Sequence, residues 1–398
     1  MSFLEELSSR RRSGMHLGLE RIRDISAALG NPHLRLRALH VAGTNGKGMV
    51  CAVLEAALRA NGFHVGRYTS PHLVRLNERF FLDGVPVDDA TLEEYARRVL
   101  TVLPEEATFF EALTALAYLL YAEASVDWAV LECGLGGRLD ATNICQPAIS
   151  IITRVGLDHC DWLGNTRGKI AAEKAGIIKS GVPIVLGRNE DDVRRVIESR
   201  ARELGAPFYY APDLVSAADI PSAFPFEGVF NQENAITALA ALKVLKIPAK
   251  GLERLIWPGR FQRIGNVLID GAHNPPAAQA LAASLDAARP LSLIAGFCSD
   301  KDSESVLKIL APFVRRGFAV RTNNPRSLSA EEAAEKMRAV GFEARPCESF
   351  SAALKAAREH ADDILICGSL FLAGEALVEL GAYPWGAPRF DGSELLRV

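Results

Sequence analysis

Short apolar runs recur along the chain, each followed by a stretch of helical periodicity, and this alternation restricts the fold more than any other feature. The run ALHVA (38–42) enters a glycine-rich turn, GTNGKG. MVCAVLEAALRANG then repeats its apolar residues at helical spacing until Gly62, a natural stop. Further strands are expected at HVGRY (64–68), DWAVLE (127–132), AISIIT (148–153) and PIVLG (183–187). Helices are expected at FEALTALAYLLYAEA (110–124) and through Lys169 to Lys179. Nearly continuous apolar strands separated by helices imply a mostly parallel sheet covered on both faces. The expected class is therefore α/β.

At 398 residues the chain exceeds one core, since domains average roughly 150 residues. FNQENAITALAALKVL reads as a capped amphipathic helix, and GLERLIWPGRFQRIG follows with Pro258 and Gly259 as breaks. The alternation then restarts with NVLID (266–270), LSLIAGF (291–297), FAVRT (318–322), FEARP (342–346) and ILICG (364–368), with a last helix from Leu370. We expect a larger domain over 1–256, a linker over 257–262, and a smaller Rossmann-like α/β domain over 263–398.

Composition excludes several classes. With 49% hydrophobic and 23% charged residues the chain is an ordinary globular protein, and a net charge of -3 offers no field for nucleic acid or an anionic membrane. The seven cysteines are scattered and never spaced CxxC, which argues against a disulfide framework or a zinc site and fits a reducing cytoplasm. The first residues, MSFLEELSSRRRSG, carry no apolar core of a secretion signal. The longest apolar run, 112–122, falls well short of the ~20 residues that span a bilayer, so it is expected to be a buried helix. RRR at 10–12 reads as a solvated face.

Gly43, Gly46 and Gly48 lie between a strand and a helix, where glycines let backbone N–H groups close around phosphates and the helix N-terminus adds positive potential. Lys47 adds a point charge. Two features depart from the usual phosphate loop. Val41 occupies the place of its first glycine, and the residues after the lysine are Gly48 and Met49 rather than Ser or Thr, whose hydroxyl helps hold magnesium. Spacing alone leaves both a nucleotide loop and an ordinary tight turn open.

Other segments narrow the choice. YTSPHLVRLNERF (68–80), FFEALTAL (109–116), LECGLGGRLDATN (131–143), RVGLDHCDWLG (154–164), IAAEKAGIIKSGVP (170–183), NQENA (231–235), WPGRFQ (257–262) and DGAHNP (270–275) follow in order. Together, from about Gly18 to Gly374, they resemble the folylpolyglutamate synthase and dihydrofolate synthase family, relatives of the Mur ligases. The resemblance implies a P-loop N-terminal domain, a Rossmann-like C-terminal domain, and ATP-dependent addition of L-glutamate to a folate or dihydropteroate carboxylate through an acyl phosphate.

It also implies roles for particular residues. Gly43, Thr44, Asn45, Gly46, Lys47 and Gly48 would hold ATP, joined by Asn234, Arg260, Asp270 and His273; Mg²⁺ would sit on Ser70, Glu132 and His159. Lys47, Lys174 and His159 would serve catalysis, with Lys174 carbamylated, which requires a free amine and so a depressed pKa. Thr108, Phe110 and Leu139 would touch the pterin substrate. Read without the resemblance, Lys174 is a solvated helix lysine, and Arg260 and Asp270 cap a linker. Met49 stands where the family has Ser or Thr, which predicts slower or weaker ATP use. His16, in HLGLERI (16–22), stands where members using dihydropteroate have Asp; the other reading of that segment is a capped helix with Leu17, Leu19 and Ile22 inward.

The nucleotide is expected between the two halves, and the protein is expected to act as a monomer. His159 and Cys160 are set aside as a nucleophile pair on the expectation of an extended segment, and GLGGR (134–138) lacks dinucleotide-loop spacing. Two other readings remain: a Mur-type ligase acting on a nucleotide-linked muramyl peptide, and a P-loop ATP-binding protein without ligase turnover.

Overall fold

Every residue of β1 (Ala38–Ala42) is buried, because the strand lies in the interior of a sheet with neighbours on both sides. The computed structural model describes residues 18–360 and 362–386, so His16, Leu17 and the RRR run lie outside the described residues. The remaining strands of the first sheet are β2 (Val65–Tyr68), β3 (Phe80–Leu82), β4 (Val85–Pro86), β5 (Trp128–Glu132), β6 (Pro147–Ile152), β7 (Ile184–Leu186) and β8 (Phe208–Tyr210). Their order is β4-β3-β2-β5-β1-β6-β7-β8. Pairing is parallel except where β3 meets β2 and β4. All five expected strands are present. The three that sequence reading passed over are short pieces toward the sheet edges, too brief to show a period.

The helix Phe109–Glu123 confirms the buried reading of 112–122, since each of those residues is buried. A helix apolar on every side belongs in an interior. Thr108 starts it with a capping box: its hydroxyl accepts from Glu111 N at 3.2 Å, and Glu111 accepts from Thr108 N at 2.8 Å. The helix Val229–Val244 departs from the amphipathic expectation, because Thr237 through Leu242 are all buried. Among the described residues no helix is long and apolar enough to cross a membrane, and all seven cysteines are free.

The second sheet contains β9 (Gln262–Ile264), β10 (Val267–Ile269), β11 (Leu291–Ala295), β12 (Val314–Ala319), β13 (Glu343–Pro346) and β14 (Asp363–Cys367), in the order β13-β12-β11-β14-β10-β9. Five strands are parallel, as expected; β9 is an added antiparallel edge formed by residues from the end of the WPGRFQ segment onward. The chain divides into two compact units. The first takes residues up to His72, Leu76–Pro225 and Asn231–Leu255, and the second takes Leu73–Arg75, Phe226–Phe230 and the chain from Ile256. The second unit thus recruits two short segments from earlier in the chain.

One buried ion pair fastens the helix Lys47–Ala60 to β2. Arg67 Nε lies 2.7 Å from Glu55 Oε2, both side chains are nearly fully buried, and the guanidinium stacks 3.7 Å from the Phe81 ring centroid. Removing one partner strands the other charge. Glu55→Ala is expected to destabilise the protein by about 3–5 kcal/mol in urea unfolding.

Candidate active site

Parallel sheets bind ligands beyond the carboxyl ends of their strands. The register of β1 places Val41 beside Glu132 and Ala42 beside Ile152, so the segments leaving β1, β5 and β6 emerge together. The loop after β1 is built by close backbone approach. A Cβ on Gly43 would sit 1.8 Å from Thr153 Oγ1, and one on Gly46 would sit 2.1 Å from Asn234 Oδ1. Gly46 also has φ of 87°, a left-handed conformation that starts the helix Lys47–Ala60. Both positions therefore require glycine.

The loop is anchored from the β6 side. Thr44 N donates to Arg154 O at 2.9 Å, Thr153 Oγ1 donates to Asn45 O at 2.7 Å, and Thr44 Oγ1 accepts from Gly156 N at 3.0 Å. These bonds occupy the inner face of the loop. Asn234, from NQENA, lies against Gly46 as the sequence suggested. Gly48 and Met49 are buried in the first turn of the helix, with Met49 only 3% exposed. The position that would offer a hydroxyl is an apolar, packed side chain.

Three ionisable groups meet at this edge. Glu132 ends β5; its Oε2 accepts from Ser70 N at 3.0 Å, and its Oε1 lies 3.8 Å from Lys47 Nζ. Lys47 Nζ also donates to Thr44 O at 3.2 Å. Lys174 comes from the helix Arg167–Ala175 and is 3% exposed, not a solvated lysine; its Nζ donates to Gly43 O at 2.8 Å. Burial, reinforced by the nearby Lys47 charge, lowers its pKa from the ordinary 10.5 to about 7.

His159 lies beyond β6, half-exposed, with Nε2 3.9 Å from Asp158 Oδ1. The segment is not extended as expected: His159 has φ of 50° and leads into the short helix Cys160–Leu163, with Cys160 exposed. The geometric reason for setting that pair aside therefore fails. Among the described residues no group of three or more His, Cys, Asp or Glu side chains gathers with metal-site geometry.

The three expected substrate positions fall into two kinds. The Phe110 ring packs over Gly134, where a Cβ would approach within 2.5 Å, and lies 6.0 Å from the Tyr68 ring. Half-buried Leu139 is carried by the same GLGGRLDATN segment. Thr108, by contrast, has its hydroxyl engaged in the helix cap with Glu111, whose other oxygen lies 3.1 Å from Arg21 Nε.

Sequence reading missed the polar layer beneath this loop. Buried Asp140 accepts from Leu135 N at 2.8 Å and Thr142 N at 3.0 Å, shaping the GLGG turn; burial raises its pKa. His40 Nε2 lies 2.8 Å from Thr142 Oγ1 and 3.0 Å from Cys133 Sγ, and burial holds its pKa down at about 3, so it is neutral. The Asp in RLDATN, two residues before a Thr, was the available signal for a self-capping turn.

In the second unit, Asp270 follows β10 and is buried. It accepts from Phe261 N and from Ala272 N, each at 2.8 Å, one on each oxygen. Burial raises its pKa while Arg260 opposes the rise. The linker-capping reading is thus real geometry, and each oxygen retains a second lone pair. Arg260 Nη1 donates to Gly259 O at 3.1 Å, and His273 Nδ1 lies 2.8 Å from Gly271 O. Arg260, Asp270 and His273 therefore converge on one turn.

Comparisons of sequence and of structure identify the family of the chain. Residues 41–211 match the Mur ligase middle domain and residues 259–370 the Mur ligase glutamate ligase domain, so fold and site define an ATP-dependent ligase of the Mur type. The dihydrofolate synthase/folylpolyglutamate synthase of Escherichia coli (strain K12) is 34% identical over 409 residues, covering 96% of this chain and 95% of that one. The Mycobacterium tuberculosis folylpolyglutamate synthase complexed with ADP and AMPPCP superposes with a TM-score of 0.86 at 28% identity, covering 96% of this chain and 98% of that one. A bifunctional folylpolyglutamate synthase/dihydrofolate synthase with Mn, AMPPNP and L-glutamate bound gives a TM-score of 0.84 at 33% identity, with the same coverage. This chain belongs to the folylpolyglutamate synthase/dihydrofolate synthase family.

The Lys174 environment sets a pH dependence. Between pH about 7 and 10.5 the unfolded chain keeps a proton on this amine that the folded chain has released, so its contribution makes stability rise with pH through that window. Lys174→Met is expected to remove that slope. Urea unfolding of both proteins at about pH 7 and about pH 9 should show wild type gaining on the variant at the higher pH.

Proposed function

We propose that this chain uses ATP to join L-glutamate to a carboxylate of a folate-type acceptor, dihydropteroate or a reduced folate. The observation that carries this reading is the convergence of Lys47, Glu132 and Lys174 on one glycine loop at the carboxyl edge of the first sheet. Relatives named for both acceptor reactions support the substrate class.

The acceptor carboxylate attacks the γ-phosphorus of ATP, ADP leaves, and an acyl phosphate forms. The glutamate amine, having lost a proton, then attacks the acyl carbon and phosphate departs. In this reading the loop N–H groups and Lys47 take the phosphates with Asn234 beside them, and Arg260, Asp270 and His273 are further nucleotide residues. Phe110 and Leu139 receive the pterin end. Thr108 contributes by fixing the start of the Phe110 helix as well as by position. In this reading the first compact unit is the catalytic domain, differing from the expected 1–256 by the loss of Leu73–Arg75, Phe226–Phe230 and Ile256, and the second is the Rossmann-like domain expected over 263–398.

The donors at this edge fit Mg²⁺. Glu132 offers a buried carboxylate held by the Ser70 N–H, and a hard cation that keeps waters and takes phosphate oxygens needs only one or two carboxylates. Ser70 and His159 would complete the proposed set, and the ion would neutralise the triphosphate charge. Lys174, with a pKa near 7, holds the neutral amine that adds to CO₂, releasing a proton and leaving a carbamate anion beside Gly43. The protein works as a cytoplasmic monomer in this reading.

Incubation with ATP, Mg²⁺, L-glutamate and either dihydropteroate or tetrahydrofolate should release ADP only when glutamate and acceptor are both present, with a product one glutamyl unit heavier by mass. ATP binding without such a product would reject the reading. Lys174→Arg, which keeps charge but cannot form the carbamate, should lower turnover by about a hundredfold or more. Met49→Ser should tighten ATP by roughly three- to tenfold through the added hydroxyl while lowering thermal stability, because a packed side chain is lost.

A further inference from the structure

Arg154 stands two residues beyond β6 and is tied to the phosphate loop through its backbone, accepting from Thr44 N at 2.9 Å and bridging Asn45. Its side chain is half-exposed and held loosely. Nη1 lies 3.3 Å from Glu233 Oε2, and Nη2 lies 3.7 Å from Glu190 Oε1. Glu233 immediately precedes Asn234, the residue packed on Gly46, so the guanidinium is held to the same short stretch that covers the loop. Glu233 has a second cation as well, with Arg188 Nε 3.3 Å from its Oε1.

The charges near the loop leave a need for this cation. Lys47 shares its charge with Glu132, Lys174 is held near neutrality, and Met49 brings no polar group. Exposed carboxylate pairs are weak, whereas an arginine on phosphate makes charge-assisted, often bidentate bonds. If Arg154 turns to a bound anion, Glu233 keeps Arg188, and Glu190, whose side chain is 59% exposed, is left to solvent rather than buried without a partner. We propose that Arg154 is a further nucleotide-binding residue, exchanging Glu233 and Glu190 for the polyphosphate of a nucleoside triphosphate, with Arg188 acting as the positioning residue that releases it. The inference rests on the ATP-dependent reading of the loop.

The test begins with wild-type protein titrated with ATP and Mg²⁺, since absence of binding there would remove the underlying reading rather than this one. Given binding, Arg154→Ala should weaken ATP by about tenfold in Kd and KM, with kcat, KM for glutamate and Tm changed little; Arg154→Lys should recover part of the loss. Arg188→Ala should also weaken ATP, because Glu233 then holds Arg154 alone. Adding Arg188→Ala to Arg154→Ala should change nothing further. Unchanged ATP affinity in Arg154→Ala overturns the proposal, as does a loss that falls equally on Tm and kcat, or full additivity of the two substitutions.

Discussion

The site depends on the absence of two side chains. Thr153 and Asn234 approach the backbone of Gly43 and Gly46 so closely that any Cβ would overlap them, and this contact fixes the path of the chain between β1 and its helix. Once that path is fixed, the carbonyl of Gly43 faces Lys174 and the helix N-terminus opens at Lys47. The charged chemistry follows from a steric condition. Interiors pack at crystal-like density, so such a condition is met or violated with little in between.

Around that loop the protein separates charge from polarity. Above it, Lys47 and Glu132 remain close enough to attract without forming a tight pair, which leaves both able to serve a ligand. Below it, the polar groups are kept neutral or turned to structural use: His40 is held uncharged, and Asp140 spends its oxygens on the GLGG turn and Thr142. Lys174 sits at the boundary, buried enough to lose its proton near neutral pH yet bonded to the loop itself.

Much of this was legible in the residues. The apolar alternation identified both parallel sheets because fully buried strands leave continuous apolar runs, and the buried helix Phe109–Glu123 showed itself by lacking a polar face. The glycine loop could be placed between strand and helix, but spacing alone did not separate it from a tight turn. What could not be read was pairing across the chain. Thr153 beneath Gly43, the Arg154, Glu233 and Arg188 contacts, and the His40 layer each join residues far apart in sequence. The edge strands Phe80–Leu82, Val85–Pro86 and Phe208–Tyr210 were too short to carry a period, and His159 turned out helical at its C-terminal side because it adopts a left-handed backbone that residue type does not announce.

Asn143 gives the proposed substrate segment an unusual mechanical character. Its side-chain amide bonds to Arg138 O at 2.9 Å and Gly176 O at 3.0 Å, while Lys179 Nζ grips its own carbonyl oxygens. The turn that carries Leu139 and the helix that carries Lys174 are thereby riveted into one plate. An insertion or deletion in either would throw the other out of alignment, so this plate accommodates exchanged side chains more readily than a change of length.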